Sequence, residues 1–278
     1  MTKIKIVTDS SATMPKELLQ QLDIHVVPLT VMIDGILYAD DDQLSGAAFM
    51  ELMAQAKELP KTSQPPIGQF VELYDELGRD GSQILSIHMT QALSGTVEAA
   101  RQASQLSKSQ VTVIDSDVTD QGLSFQVIKA AQLALANEEL ATILTEIKKI
   151  REQTKLFIGV STLDNLVKGG RISRAKGVLS NLLNMRVVME LKNTELLPIV
   201  KGRGMKTFTN WFQTLKVELQ QHPEIHQIGI SHADGLEIAT SFKNELQALF
   251  PEKEIWVLQT TPVIATHTGK NAFAILYY

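Results

Sequence analysis

The sequence predicts a two-domain α/β protein, and three observations carry that expectation. Its 278 residues are close to twice a typical domain of about 150. Over the first half, strand-like and helix-like segments alternate, the rhythm of a sheet with crossover helices. Near Thr154 the rhythm changes: 185–191 and 195–200 face each other across Lys192-Asn193-Thr194 as an antiparallel hairpin, which belongs to α+β layers. The expected domains are therefore 1–154, an α/β domain, and 155–278, a mixed α+β domain.

Residues 4–8 alternate apolar and polar side chains and read as a strand. Pro15 opens a short helix to Gln21, where its missing N–H costs nothing. Segments 25–33 and 36–39 flank Asp34-Gly35, two residues that tolerate the positive φ of a tight hairpin. Ser45 is expected to cap a helix reaching Lys57. Residues 60–66 read as a loop, and 68–77 as a helix stopped by Gly78. Strands at 83–88 and 110–114 bracket a helix from Gly95 to Leu106, and helices at 120–136 and 140–151 precede a strand at 155–160. Past the hairpin come a helix at 207–220, a strand at 227–231, a helix at 236–249 capped by Asp234, and strands at 255–258 and 273–277.

Composition narrows the function. With 44% apolar and 21% charged residues the chain has the makings of an ordinary folded core, not of a disordered tail. A net charge of −5 lacks the positive field that drives non-specific nucleic-acid binding, which argues against a transcriptional regulator. Zero cysteines exclude disulfides, thiolate catalysis and Cys-ligated metals. The N-terminus reaches Asp9 before any signal-peptide core could form, and no apolar run approaches the roughly 20 residues of a membrane span, so a cytoplasmic protein with no integral membrane segment is expected. Charge is uneven: from Lys168 to Lys206 nine basic residues outnumber Glu190 and Glu195, giving that segment +7 and the remainder −12. Such a segment is either a solvated face or a docking surface for an anionic partner.

No standard catalytic signature is present: neither a G-x-S-x-G elbow, nor a P-loop, nor H-E-x-x-H. His25, His88, His222 and His226 stand singly without metal-ligand spacing and read as structural. What stands out is hydroxyl-rich turns after strands: Thr8-Asp9-Ser10-Ser11, Thr62-Ser63-Gln64-Pro65 and the stretch Thr90 to Thr96. In an open α/β sheet such turns line the ligand crevice. Ser94-Gly95-Thr96 opens a helix, where free N–H groups favour an anion, although Ser94 also suits a plain N-cap. Ser231-His232-Ala233-Asp234 and Thr266-His267-Thr268-Gly269 each follow a strand-like segment, and a loop histidine can donate to a carboxylate or act as a base.

Together with Gly170-Arg171-Ile172-Ser173 and the run Pro262 to Gly269, these motifs occur in the order and spacing of the DegV family, which the chain resembles from Lys3 to Tyr277. It departs from the family's pattern at Thr90-Gln91, where many members carry Ser-Ser, and at Lys270-Asn271, usually Pro-Gly. The resemblance implies a Rossmann-like N-terminal domain that binds lipid and a C-terminal domain that closes the pocket over one long-chain fatty acid, such as palmitate. It implies that Thr62 and Ser94 hold the carboxylate, that His267 closes the site, and that Arg171 and Arg203 face a kinase surface or the transferred phosphate. The implied partner is the catalytic subunit of a fatty acid kinase, which makes an acyl-phosphate for phospholipid synthesis; the chain itself is a carrier with no catalytic residues, metal or cofactor. The alternative from another class is a hydrolase of lipid-like esters using Ser94, His267 and Asp9 as a triad.

Overall fold

The computed structural model describes residues 3–41, 43–172, 185–222 and 224–278. Strand β1 (Ile4–Asp9) leads through helix α1 (Lys16–Gln21) to β2 (Ile24–Val27), and β3 (Thr30–Ile33) turns back into β4 (Ile36–Ala39). Then come α2 (Gly46–Gln55), the short β5 (Lys61–Ser63), α3 (Ile67–Leu77), β6 (Gln83–His88), α4 (Thr96–Leu106), β7 (Val111–Asp115), α5 (Asp120–Leu135) and α6 (Leu140–Gln153). The second half runs β8 (Lys155–Val160), α7 (Asp164–Lys168), β9 (Arg186–Lys192), β10 (Glu195–Gly202), α8 (Lys206–Gln220), β11 (Ile228–Ala233), α9 (Leu236–Leu249), β12 (Ile255–Gln259), α10 (Pro262–Thr268) and β13 (Ala272–Tyr277). The chain groups into two units, one of residues 1–31, 38–43 and 62–154, the other of residues 32–37, 44–61 and 155–278.

In the first unit β2-β1-β6-β7 form a sheet in which every pair is parallel. Parallel neighbours need crossover helices, and helices on both faces bury the central strands β1 and β6 almost end to end. Val7 and Ile84 pack with Phe70 and Tyr74 of α3 and with Ala99, Ala100 and Ala103 of α4, whose small side chains let the two helices approach.

The second unit carries the sheet β10-β9-β8-β13-β11-β12, antiparallel except for β11 and β12. Phe208, Trp211, Phe212, Leu215 and Leu219 recur along α8 at helical spacing, the stripe that turns a helix onto a sheet. With Phe242 and Leu246 of α9 they cover Ile230, Phe273 and Ile275. Phe212 stacks on Phe242 at 4.0 Å and Phe208 meets Phe273 edge-on at 5.0 Å. Each such ring buries apolar surface worth about 1.5–3 kcal/mol.

The expected hairpin is present, with Asp34 at φ 46° and Gly35 at φ 85°. Ser45 caps α2, its hydroxyl accepting from Ala48 N at 3.2 Å. Other expectations need correction. The run at 25–33 is two strands, because Pro28 has no N–H to give a ladder: β2 stays in the parallel sheet while β3 joins the three-stranded sheet β4-β3-β5. The stretch at 60–66 holds β5 as well as loop. Asp234 does not cap α9; Gly235 takes the cap position and the Asp234 carboxylate pairs with Lys270 Nζ at 3.0 Å. Neither His232 nor His267 is in a loop: the first lies within β11, next to its last residue, and the second stands on α10.

Candidate functional site

In the first unit the hydroxyl-rich turns gather at the carboxyl ends of β1 and β6. Thr62 is half-buried on β5, and the side chain of Gln64, two residues on, lies directly over Gly95, where a Cβ would collide with it. This places the Thr62 segment beside the Ser94 turn. Ser94 is not the N-cap of α4; Gly95 holds that position. The Ser94 hydroxyl instead shares a hydrogen bond with Thr96 Oγ1 at 2.9 Å, leaving a pair of small hydroxyls at the helix start. The turn is closed from behind by the Thr90 carbonyl, which accepts from Leu93 N at 3.1 Å and Ser94 N at 3.2 Å.

Behind this edge lies a polar chain that the sequence did not announce. Asp9 Oδ1 accepts from Ser11 N at 3.0 Å and from Ser11 Oγ at 2.6 Å; Asp9 Oδ2 accepts from Met89 N at 2.9 Å and from His88 Nδ1 at 3.0 Å. The other ring nitrogen of His88 meets Ser86 Oγ at 2.7 Å, and Ser86 meets the Tyr74 hydroxyl at 2.7 Å. Asp9, Tyr74, Ser86 and His88 are all at 0% exposure, and the Phe70 ring stands edge-on to His88 at 5.2 Å. Burial alone would raise the Asp9 carboxyl; the hydrogen bond and attraction of His88, then Ser11 and the Met89 amide, outweigh it and hold the group below the usual carboxylate range. Burial pushes the Tyr74 hydroxyl far above its ordinary value. Ser86, His88 and Asp9 thus have the mutual arrangement of a Ser-His-Asp triad, but with no exposed face a substrate has no way to Ser86. The hydrolase reading loses its acid, since both Asp9 oxygens are committed to Ser11, His88 and Met89.

In the second unit, α7 and α10 bring Arg171 and His267 together. Gly169 ends α7 and packs against the His267 ring so tightly that any side chain there would collide with Nδ1. Asn165 Nδ2 donates to Thr266 O at 2.9 Å, tying the two helices, and Arg171 donates to Gly169 O at 2.7 Å. Burial first, and the nearby Arg171 charge second, push His267 down to about 3. At neutral pH it is therefore an uncharged imidazole able to donate one N–H beside a half-buried guanidinium. Arg203, by contrast, is exposed in the turn after β10. Ser173 of the Gly170-Arg171-Ile172-Ser173 motif, and Arg174 and Lys176 of the basic segment, lie outside the described residues.

Among the described residues no group of His, Asp or Glu is arranged to hold a metal ion, and no helix is long and apolar enough to cross a membrane. A solvated reading fits His222, which pairs with Glu224 at 2.8 Å on the surface.

Three comparisons with known proteins bear on this arrangement. A family model described as "Uncharacterised protein, DegV family" matches residues 3–278. A DegV domain-containing protein of Streptococcus pneumoniae serotype 4 is 54% identical over 276 residues, covering 99% of this chain and 98% of the relative. Among solved structures, DegV of Bacillus subtilis, described as a fatty acid binding protein, is 30% identical with a TM-score of 0.91, covering 100% of this chain and 99% of that one. A DegV family protein of Thermus thermophilus whose structure concerns fatty acid binding is 28% identical, also with a TM-score of 0.91 and the same coverage. The motif order, the parallel sheet with its second mixed unit, and these whole-chain matches agree: the chain belongs to the DegV family.

Proposed function

We propose that this protein binds a long-chain fatty acid and presents its carboxylate to a separate ATP-dependent kinase, acting as a carrier and not as the catalyst. What carries the reading is the whole-chain likeness to two solved proteins described as fatty-acid-binding. The side chains available suit such a ligand. Ser94 and Thr62 offer neutral hydroxyl donors, and His267, held neutral, offers an N–H. A carboxylate taken out of water costs several kcal/mol unless hydrogen-bonded, and neutral donors satisfy it while leaving it nucleophilic. The alkyl tail supplies affinity: at about 0.8 kcal/mol per methylene, a dozen contribute roughly 10 kcal/mol gross.

Arg171, beside His267, is assigned to the carboxylate or the phosphate formed on it, and the exposed Arg203 to docking of the kinase. The acyl-phosphate so made would enter phospholipid synthesis. Native mass spectrometry of the purified protein tests the carrier reading: a stoichiometric fatty acid is expected, with a thermal shift when palmitate is returned to delipidated protein, because a ligand of the folded state stabilises by mass action. Lipid-free protein with no shift would sink it. In a kinase-coupled assay, Arg203→Ala is expected to retain lipid while acyl-phosphate formation falls, the deficit against wild type narrowing as added salt screens the attraction that the variant lacks. Unchanged turnover would return the basic segment to a solvated face.

A further inference from the structure

We propose that Asp9 is a positioning residue for Ser94, setting the turn that aims the Ser94 hydroxyl; this rests on the headgroup reading given above. A continuous series of bonds joins the two. The Asp9 carboxylate holds the Met89 amide at 2.9 Å and the His88 ring at 3.0 Å. Thr90 follows directly, fully buried, its N–H held by Val118 O at 2.8 Å, and its carbonyl takes the amides of Leu93 and Ser94. Ser94 Oγ then meets Thr96 Oγ1. A change at Asp9 therefore reaches Ser94 through one amide and one carbonyl.

The rest of the chain argues that this is more than filling. A fully buried carboxylate is an expensive way to join two strands already paired by their own ladder, with Ile6 opposite Leu85 and Val7 opposite Ser86. What a satisfied buried network adds is a single geometry. Asp9 is satisfied by four donors drawn from the ends of two strands, Ser11 after β1 and His88-Met89 at β6. Through His88 and Ser86 the same series reaches Tyr74 on α3, the helix that follows the Thr62 segment. The Ser94 turn and the helix that follows the Thr62 segment are thus both tied to one buried group.

The test is a double-mutant cycle with cis-parinaric acid as the fluorescent probe, using full-length wild type, Asp9→Asn, Ser94→Ala and the double variant. Asp9→Asn keeps the size of the side chain but turns one acceptor into a donor facing the Met89 amide. It is expected to weaken probe binding about tenfold alone and less than about twofold in the Ser94→Ala background, the non-additivity that marks a residue acting through another. Equal losses in both backgrounds, or binding by Asp9→Asn within twofold of wild type, would overturn the proposal. Hydrogen exchange supplies a readout that needs no lipid: the Ser94 amide is expected to lose protection in Asp9→Asn while the amides of β2 keep theirs. Unchanged Ser94 protection would refute positioning even if wild type binds the probe. Wild type that binds no probe refutes the fatty-acid reading instead, and exchange still decides for Asp9. If Asp9→Asn does not fold, His88→Gln is read in the same cycle with the same expectations.

Discussion

Gly169→Ala tests the proposed contribution of His267 without replacing it. Gly169 has φ −73° and ψ −10°, ordinary helical values, so alanine brings no backbone strain and its effect is purely steric. A methyl there overlaps His267 Nδ1 and stands 2.9 Å from Cε1 and 2.9 Å from Asn165 O. The carbonyl cannot retreat cheaply, because it accepts Gly169 N at 2.8 Å within the last turn of α7. The imidazole must therefore move: restoring ordinary contacts of about 3.5–4.0 Å displaces Cε1 by roughly 0.6–1.1 Å and Nδ1 by more. A shift of that size breaks a well-formed hydrogen bond. For one made to a charged acceptor the loss is about 1.5–3 kcal/mol, which raises the Kd for a fatty acid about ten- to a hundredfold. The assay is displacement of a fluorescent fatty acid, with thermal melts confirming the fold. In a His267→Ala background the methyl no longer meets a ring and keeps only its close approach to the Asn165 carbonyl, so Gly169→Ala should then change affinity very little. Wild-type affinity in the single variant, or a full loss persisting in the His267→Ala background, would refute the reasoning.

Further outcomes follow from the same groups. Ser94→Ala and Thr62→Val are each expected to weaken fatty-acid binding by about 1–3 kcal/mol, since each removes a donor to a charged acceptor; calorimetry showing both at parental affinity would move the headgroup site elsewhere. Stability is expected to fall as pH drops below 6.5, the ordinary histidine value. His267 is depressed by burial and Arg171, and His25 and His232 chiefly by burial, so the unfolded chain takes up protons the fold refuses. The stabilising effect is complete above pH 6.5 and drains toward about pH 3 for His267. In that window His267 alone contributes a slope approaching about 1.4 kcal/mol per pH unit. Urea melts of wild type and His267→Gln across this range should diverge; parallel curves would show that His267 titrates normally.

How much was legible beforehand depended on whether a feature is local. The Asp34-Gly35 turn, the Ser45 cap and the helix at 207–220 are written in contiguous residues, and the structure repeats them. Pro28 is a local feature too, but the apolar pattern runs straight across it, so periodicity alone joins β2 and β3 into one run. The His88–Asp9 pair spans 79 positions and no spacing rule reaches that far. A faint signal existed: two strand-like segments each end in a polar residue, and adjacent parallel strands bring such ends together. The pairing of Arg171 with His267 was hidden for another reason, since α7 has five residues and α10 seven, too short for a periodicity to rise above its flanks.

The division of the chain carries a consequence for how it is made. Reading from the N-terminus, the polypeptide passes between the two units five times, at 31/32, 37/38, 43/44, 61/62 and 154/155. Residues 32–37 and 44–61 leave the ribosome some hundred residues before the bulk of the unit they belong to begins at Lys155. At about 5–20 residues per second that is a delay of several seconds to some twenty, during which Phe49 and Met50, buried in the finished protein, have no partners from 155–278 to cover them. Folding is therefore completed only late in synthesis. A fragment cut at 154 would carry helix α2 permanently without its neighbour α10.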